Sequence, residues 1–173
     1  IDAEVLNQFK LVYKEGEIKK GRNLLAFEVA KRNILNFLKV EQESIKNGDA
    51  IKIIALETTF ERSLNHPNLP FPVLIKGNVD RIEERNNVIR IIDYKTGKVE
   101  KPSLILKSWN GLIDDIKYDK IIQILAYAFM YESHANGKNI EAGIISFKNL
   151  KSGFLPFNFK EDKEGFVIIN DEI

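Results

Sequence analysis

Between residues 22 and 46, apolar side chains recur at helical spacing through Leu24, Phe27, Ile34, Leu35 and Leu38, and the stripe ends at Asn47-Gly48, a helix-stopping pair. A shorter helix is expected ahead of it, over residues 2 to 14. Past Gly48 the chain turns to β-branched runs, which predict strands at about 51 to 60, 72 to 83 and 88 to 95. An irregular segment, 97 to 117, leads to a helix over about 118 to 134 and then to a strand from Ala142 to Phe147. Gly143 within that strand marks a close backbone approach, and Phe166-Val-Ile-Ile169 reads as a last strand or edge segment. The order α-β-β-β-α-β, with no internal repeat, predicts an α/β (α+β) fold with one mixed central sheet flanked by helices.

The second and third strands carry the chemistry. Val79-Asp80-Arg81 lies in one and Ile91-Ile92-Asp93-Tyr94-Lys95 ends the other, with Asn86-Asn87 between them as a two-residue turn. That turn sets Arg85 opposite Val88, and the same register carried along the hairpin sets Asp80 opposite Asp93. Alternation then puts Asp93 and Lys95 on one face and Tyr94 on the other. Facing acids repel, with carbon-β atoms about 4.5–5.5 Å apart. A hard divalent cation relieves that repulsion, because Mg²⁺ is held by one or two carboxylates, waters and substrate phosphate oxygens. Lys95 can then orient or deprotonate a water, or neutralise charge on a phosphate. The plainer alternative is a pair of solvated hairpin carboxylates with Lys95 as counter-ion. Against it, Ile91 and Ile92 make the strand apolar on both faces, and an acid ending a buried run needs a partner.

On the helix that follows, Gln123 and Tyr127 are four residues apart and share a face. Ile121, Ile122, Leu125, Ala126, Phe129 and Met130 surround them, so the helix is expected to be largely buried and its polar groups partnered. An exposed Gln123 beside an ordinary core Tyr127 is the alternative.

Three motifs in one order, Gly77-Asn-Val-Asp80-Arg-Ile, Ile91-Ile-Asp93-Tyr94-Lys95-Thr-Gly97 and Gln123-Ile-Leu-Ala-Tyr127, resemble the PD-(D/E)XK nuclease superfamily, and within it the RecB-type branch of helicase-nucleases and CRISPR-associated exonucleases. The resemblance runs over roughly residues 51 to 147 and implies a restriction-endonuclease-like αβββαβ core. It implies Asp80 and Asp93 as ligands of Mg²⁺ or Mn²⁺, the Tyr94 backbone carbonyl as a third oxygen, Lys95 as catalytic lysine, and Gln123 with Tyr127 as further site residues. Relatives carry another His or Glu on a helix ahead of the sheet. Glu28 is the candidate here and Glu57 a second, although a strand-edge glutamate is the plainer reading.

At 173 residues the chain is expected to form one domain, with a core over about residues 22 to 150, and to be part of a longer protein. Lys plus Arg total 26 against 25 for Asp plus Glu, so nucleic-acid affinity has to come from a local patch. Lys98, Lys101 and Lys107, then Trp109, then Lys117 and Lys120 offer phosphate contacts beside a stacking ring; the alternative is a solvated loop whose tryptophan packs on the domain. His66 and His134 lack metal-ligand company. The absence of cysteine excludes disulfides, thiolate catalysis and an iron–sulfur cluster within these residues. No apolar run approaches the roughly 20 residues that span a bilayer, and no signal-peptide pattern opens the chain, so a cytoplasmic setting is expected.

The expectation is therefore a metal-dependent deoxyribonuclease module of a DNA repair or recombination helicase-nuclease, an exonuclease by the resemblance to its branch, acting on a single strand or duplex end beside helicase or helicase-like domains. A cleavage-incompetent DNA-binding or assembly module that keeps the fold is the alternative. Cleavage polarity, strand preference, exo- against endonuclease mode and oligomeric state have no signature in the sequence.

Overall fold

In the computed structural model the described residues are 2–14, 17 and 20–159. The expected segment Phe166 to Ile169 lies outside them. The chain divides into two compact units, residues 1–48 and 49–173.

The first unit is a helix pair, α1 (Asp2–Tyr13) and α2 (Gly21–Lys46), close to the expected bounds. Phe9 meets Phe27 edge-on at 5.3 Å between ring centroids, and Lys31 bridges to Asp2 at 3.2 Å. The expected apolar stripe of α2 is rotated. Leu24, Leu35 and Leu38 are exposed, whereas Phe27, Ala30, Ile34 and Phe37 form the half-buried line at spacings of three and four. Both lines satisfy helical periodicity, so the pattern alone does not choose between them.

The second unit is built on a five-stranded mixed sheet in the order β1-β2-β3-β5-β6. The strands β1 (Ile51–Leu64), β2 (Val73–Arg85) and β3 (Val88–Lys95) run antiparallel in sequence. A two-residue strand β4 (Ile105–Leu106) lies in the segment that follows, and α3 (Asp119–Tyr131) connects to β5 (Ile140–Ser146), which pairs parallel with β3. Short strands β6 (Phe154–Pro156) and β7 (Asn158–Phe159), absent from the sequence reading, pair with β5 and β4. The mixed sheet and its helices are the architecture of the restriction-endonuclease-like fold.

The core lies between the sheet and α3, where Val79, Ile82, Ile91, Ile121, Ile124, Ala128 and Ile144 pack together. Ile122 is exposed, but every other residue from Ile121 to Tyr131 is buried or half-buried, so α3 is largely buried as expected. Gly143 answers its expectation: a Cβ there would lie 2.3 Å from the Leu155 carbonyl, a contact no side chain survives. The Asn86-Asn87 turn has φ of 52° and 69°, the left-handed pair a two-residue hairpin requires. It fixes the ladder from Arg85↔Val88 to Arg81↔Ile92, the expected register.

Candidate active site

That ladder stops one pair short of Asp80 and Asp93. In place of a backbone partner, the Tyr94 N–H donates to the Asp80 carboxylate at 2.7 Å. The strands thus separate where facing acids would repel, and Asp80 satisfies the amide that the ladder abandons. A second irregularity aims Asp80. Val79 and Ile82 are three apart yet enter the same core, so alternation breaks between them. Across the sheet, Glu57 sits between the partners of Val79 and Arg81 with φ of 46°, a left-handed conformation unusual for a glutamate.

Asp93 is 3% exposed. Its Oδ2 lies 2.8 Å from the Lys95 ammonium, and no other group partners that oxygen. Burial pushes the Asp93 carboxyl above the usual aspartate range, Lys95 opposes the rise and Asp80 adds to it. Lys95 Nζ donates to Gln123 Oε1 at 2.8 Å, and Gln123 Nε2 donates to the Tyr127 hydroxyl at 2.9 Å. An ammonium only donates, so it requires the oxygen end of the glutamine amide. Acid, lysine, glutamine and tyrosine form one row across β3 and α3. Tyr94 departs from that row as alternation requires: its ring stacks on Phe147 at 5.6 Å and its hydroxyl accepts from Arg81 Nη1 at 3.1 Å.

The family model of the PD-(D/E)XK nuclease superfamily matches residues 3–168. The chain belongs to that superfamily. No curated protein sequence matches it. Nucleases of this superfamily act on phosphodiesters of DNA and generally use divalent metals, and in this nuclease domain the row of Asp93, Lys95, Gln123 and Tyr127 lies beside Asp80 at the parting strands.

The other expected residues of the nuclease domain have more ordinary company. Glu28, on α2, is exposed and lies 3.6 Å from Lys31. Glu57 accepts from Asn78 Nδ2 at 3.0 Å. Lys98 pairs with Glu100 at 2.5 Å, and Lys101 is exposed at the start of a 3₁₀ turn. Trp109, 43% exposed, stacks on Phe159 at 5.3 Å, so one ring face is already occupied by protein. Lys120 pairs with Asp119 at 3.1 Å, and its charge also reaches Asp93. His66 accepts from the Asn68 N–H, and His134 stacks on Tyr131 at 5.5 Å. Among the described residues no group of three or more His, Cys, Asp or Glu side chains is gathered to hold a metal.

One feature escaped the sequence reading. Glu83, fully buried, is gripped by Arg81 Nη2 and by Arg85 Nε at 2.8 Å, and Arg85 reaches Asp49 at 3.3 Å. The Arg-x-Glu-x-Arg spacing, opposite charges on one strand face, was its signal. Because Arg81 also holds the Tyr94 hydroxyl, this network braces both strands of the site from behind.

Proposed function

We propose that the domain is a divalent-metal-dependent deoxyribonuclease of the RecB-type branch, the nuclease module of a DNA repair or recombination helicase-nuclease. The observation that carries this reading is the buried Asp93 Oδ2, with the Lys95 ammonium as its one partner and Asp80 near enough to repel it. A buried carboxylate beside a second acid, with one ammonium between it and the helix, keeps lone pairs for a cation, and oxygen donors of this kind fit Mg²⁺ or Mn²⁺. Asp80, Asp93 and the Tyr94 carbonyl would hold the ion. Such an ion supplies Lewis acidity toward the scissile phosphate and the attacking water.

Lys95, held between Asp93 and Gln123, orients that water or offsets charge on the phosphate, and Gln123 with Tyr127 fixes the ammonium. Lys120 is the best supported of the DNA contacts, since its charge already reaches the site; Lys98, Lys101 and the free part of Trp109 extend the path for the strand. The exonuclease mode and the helicase partner rest on the motif resemblance.

The presence of only two acids at the site, with no third among the described residues, favours a second reading, a cleavage-incompetent DNA-binding module. The purified domain, incubated with end-labelled single- and double-stranded DNA in Mn²⁺, Mg²⁺ or EDTA, separates the two. Metal-dependent cutting lost in Lys95→Ala supports the nuclease. DNA binding without cutting by a folded, metal-binding protein supports the module.

A further inference from the structure

Gly77 interrupts β2 opposite Phe60, in a strand interior where glycine costs stability and packs nothing. Its backbone does not adopt a positive φ, so conformational freedom does not explain it. Space does. A Cβ at Gly77 would lie 3.1 Å from Met130 Cε and 3.2 Å from Tyr127 Cε1, tighter than ordinary van der Waals contact. The methionine end is flexible and can yield. The tyrosine ring can yield only by shifting a few tenths of an ångström, which moves its hydroxyl relative to Gln123.

Nor can α3 easily retreat. Arg62 on β1 donates to the Phe129 carbonyl at 2.9 Å, pairs with Glu132 and lies over the Phe129 ring at 4.5 Å. Phe60 packs edge-on against Tyr131 at 5.4 Å. The C-terminal half of the helix is therefore fastened to β1, and the neighbouring strand must make room for Tyr127.

We propose that Gly77 is a positioning residue for Lys95. The missing side chain seats the Tyr127 ring, the Tyr127 hydroxyl accepts from Gln123 Nε2, and that bond anchors the far end of the amide whose oxygen meets the lysine ammonium. Displacing the ring loosens the amide, and with it the acceptor that holds the lysine ammonium in place. The inference rests on the nuclease reading for its kinetic consequence and on packing alone for its structural one.

The test compares Gly77→Ala, Tyr127→Phe and the double variant. In single-turnover cleavage with saturating DNA and Mn²⁺, each single variant should be slower by about tenfold, a common cost of slight misplacement, with KM for DNA unchanged. The double variant should be no slower than Tyr127→Phe, because both act through one hydroxyl. Multiplying rate losses, or a wild-type rate for Gly77→Ala, would overturn the proposal. The ¹⁵N–¹H signals of the Gln123 side-chain amide give a readout that needs no cleavage: they should shift alike in both single variants. Unmoved signals in Tyr127→Phe overturn the proposal even if Gly77→Ala does not fold. Shifted signals in a protein that never cuts support the seating of Gln123 while removing the nuclease reading.

Discussion

Two buried carboxylates sit on neighbouring strands and are treated in opposite ways. Glu83, on β2, is fully buried and has a guanidinium on each oxygen. Asp93, on β3, is nearly as buried, yet one oxygen has only an ammonium beside it. The closed carboxylate is internally satisfied and has nothing to offer a ligand. The open one keeps an unspent oxygen next to a second acid and a lysine, the condition a metal and a phosphate require. Burial alone therefore does not mark a functional acid; the proposed role of Asp93 rests on burial together with the second acid and the lysine beside it.

The largest expected effect on stability comes from opening the closed site. Glu83→Ala removes the shared carboxylate of two arginines, 5% and 8% exposed, leaving Arg85 with Asp49 and Arg81 with the Tyr94 hydroxyl, and should cost about 3–5 kcal/mol in a denaturant titration. A loss below about 1 kcal/mol would mean the network is ornamental and the contrast false. Next, Mn²⁺ at one hundred times its dissociation constant should stabilise the wild type by about 2.7 kcal/mol, read as a raised melting temperature. The gain should vanish in Asp93→Asn and persist in Lys95→Ala, and a gain retained by Asp93→Asn would move the metal elsewhere.

The smallest effect is in the pH dependence without metal. Burial raises the Asp93 carboxyl in the folded chain, so the folded state keeps that proton to higher pH than the unfolded one. The contribution of Asp93 is then fully present below the ordinary aspartate range and lost as pH rises through its raised value. Asparagine has no such transition. In EDTA, Asp93→Asn should gain stability relative to wild type as pH rises from about 3 to 7, and a constant difference would contradict the cause assigned to the shift.

The hairpin was legible because its signals are local. Asn86-Asn87 fixes the turn, the turn fixes the register, and the register brings Asp80 and Asp93 to the same end. Gln123 and Tyr127 were legible for the same reason, one helical turn apart on one face. The parting of the strands at Asp80 was not, since it depends on the Tyr94 amide finding a carboxylate. The Arg81–Glu83–Arg85 network was hidden because charged residues at alternate positions ordinarily read as a solvated face. Trp109 shows the limit of proximity in sequence: its place among lysines suggested a stacking ring, and Phe159 occupies one side of it.

The central claim, that the open carboxylate serves metal-dependent strand cleavage, is tested most directly by one side-by-side assay. Wild type and Asp93→Asn, both verified as folded, are given end-labelled DNA with Mn²⁺ and with EDTA. The account predicts cutting by the wild type in Mn²⁺ alone, with Asp93→Asn slower by at least about a thousandfold. Cutting by Asp93→Asn at the wild-type rate, or by the wild type in EDTA, would contradict it.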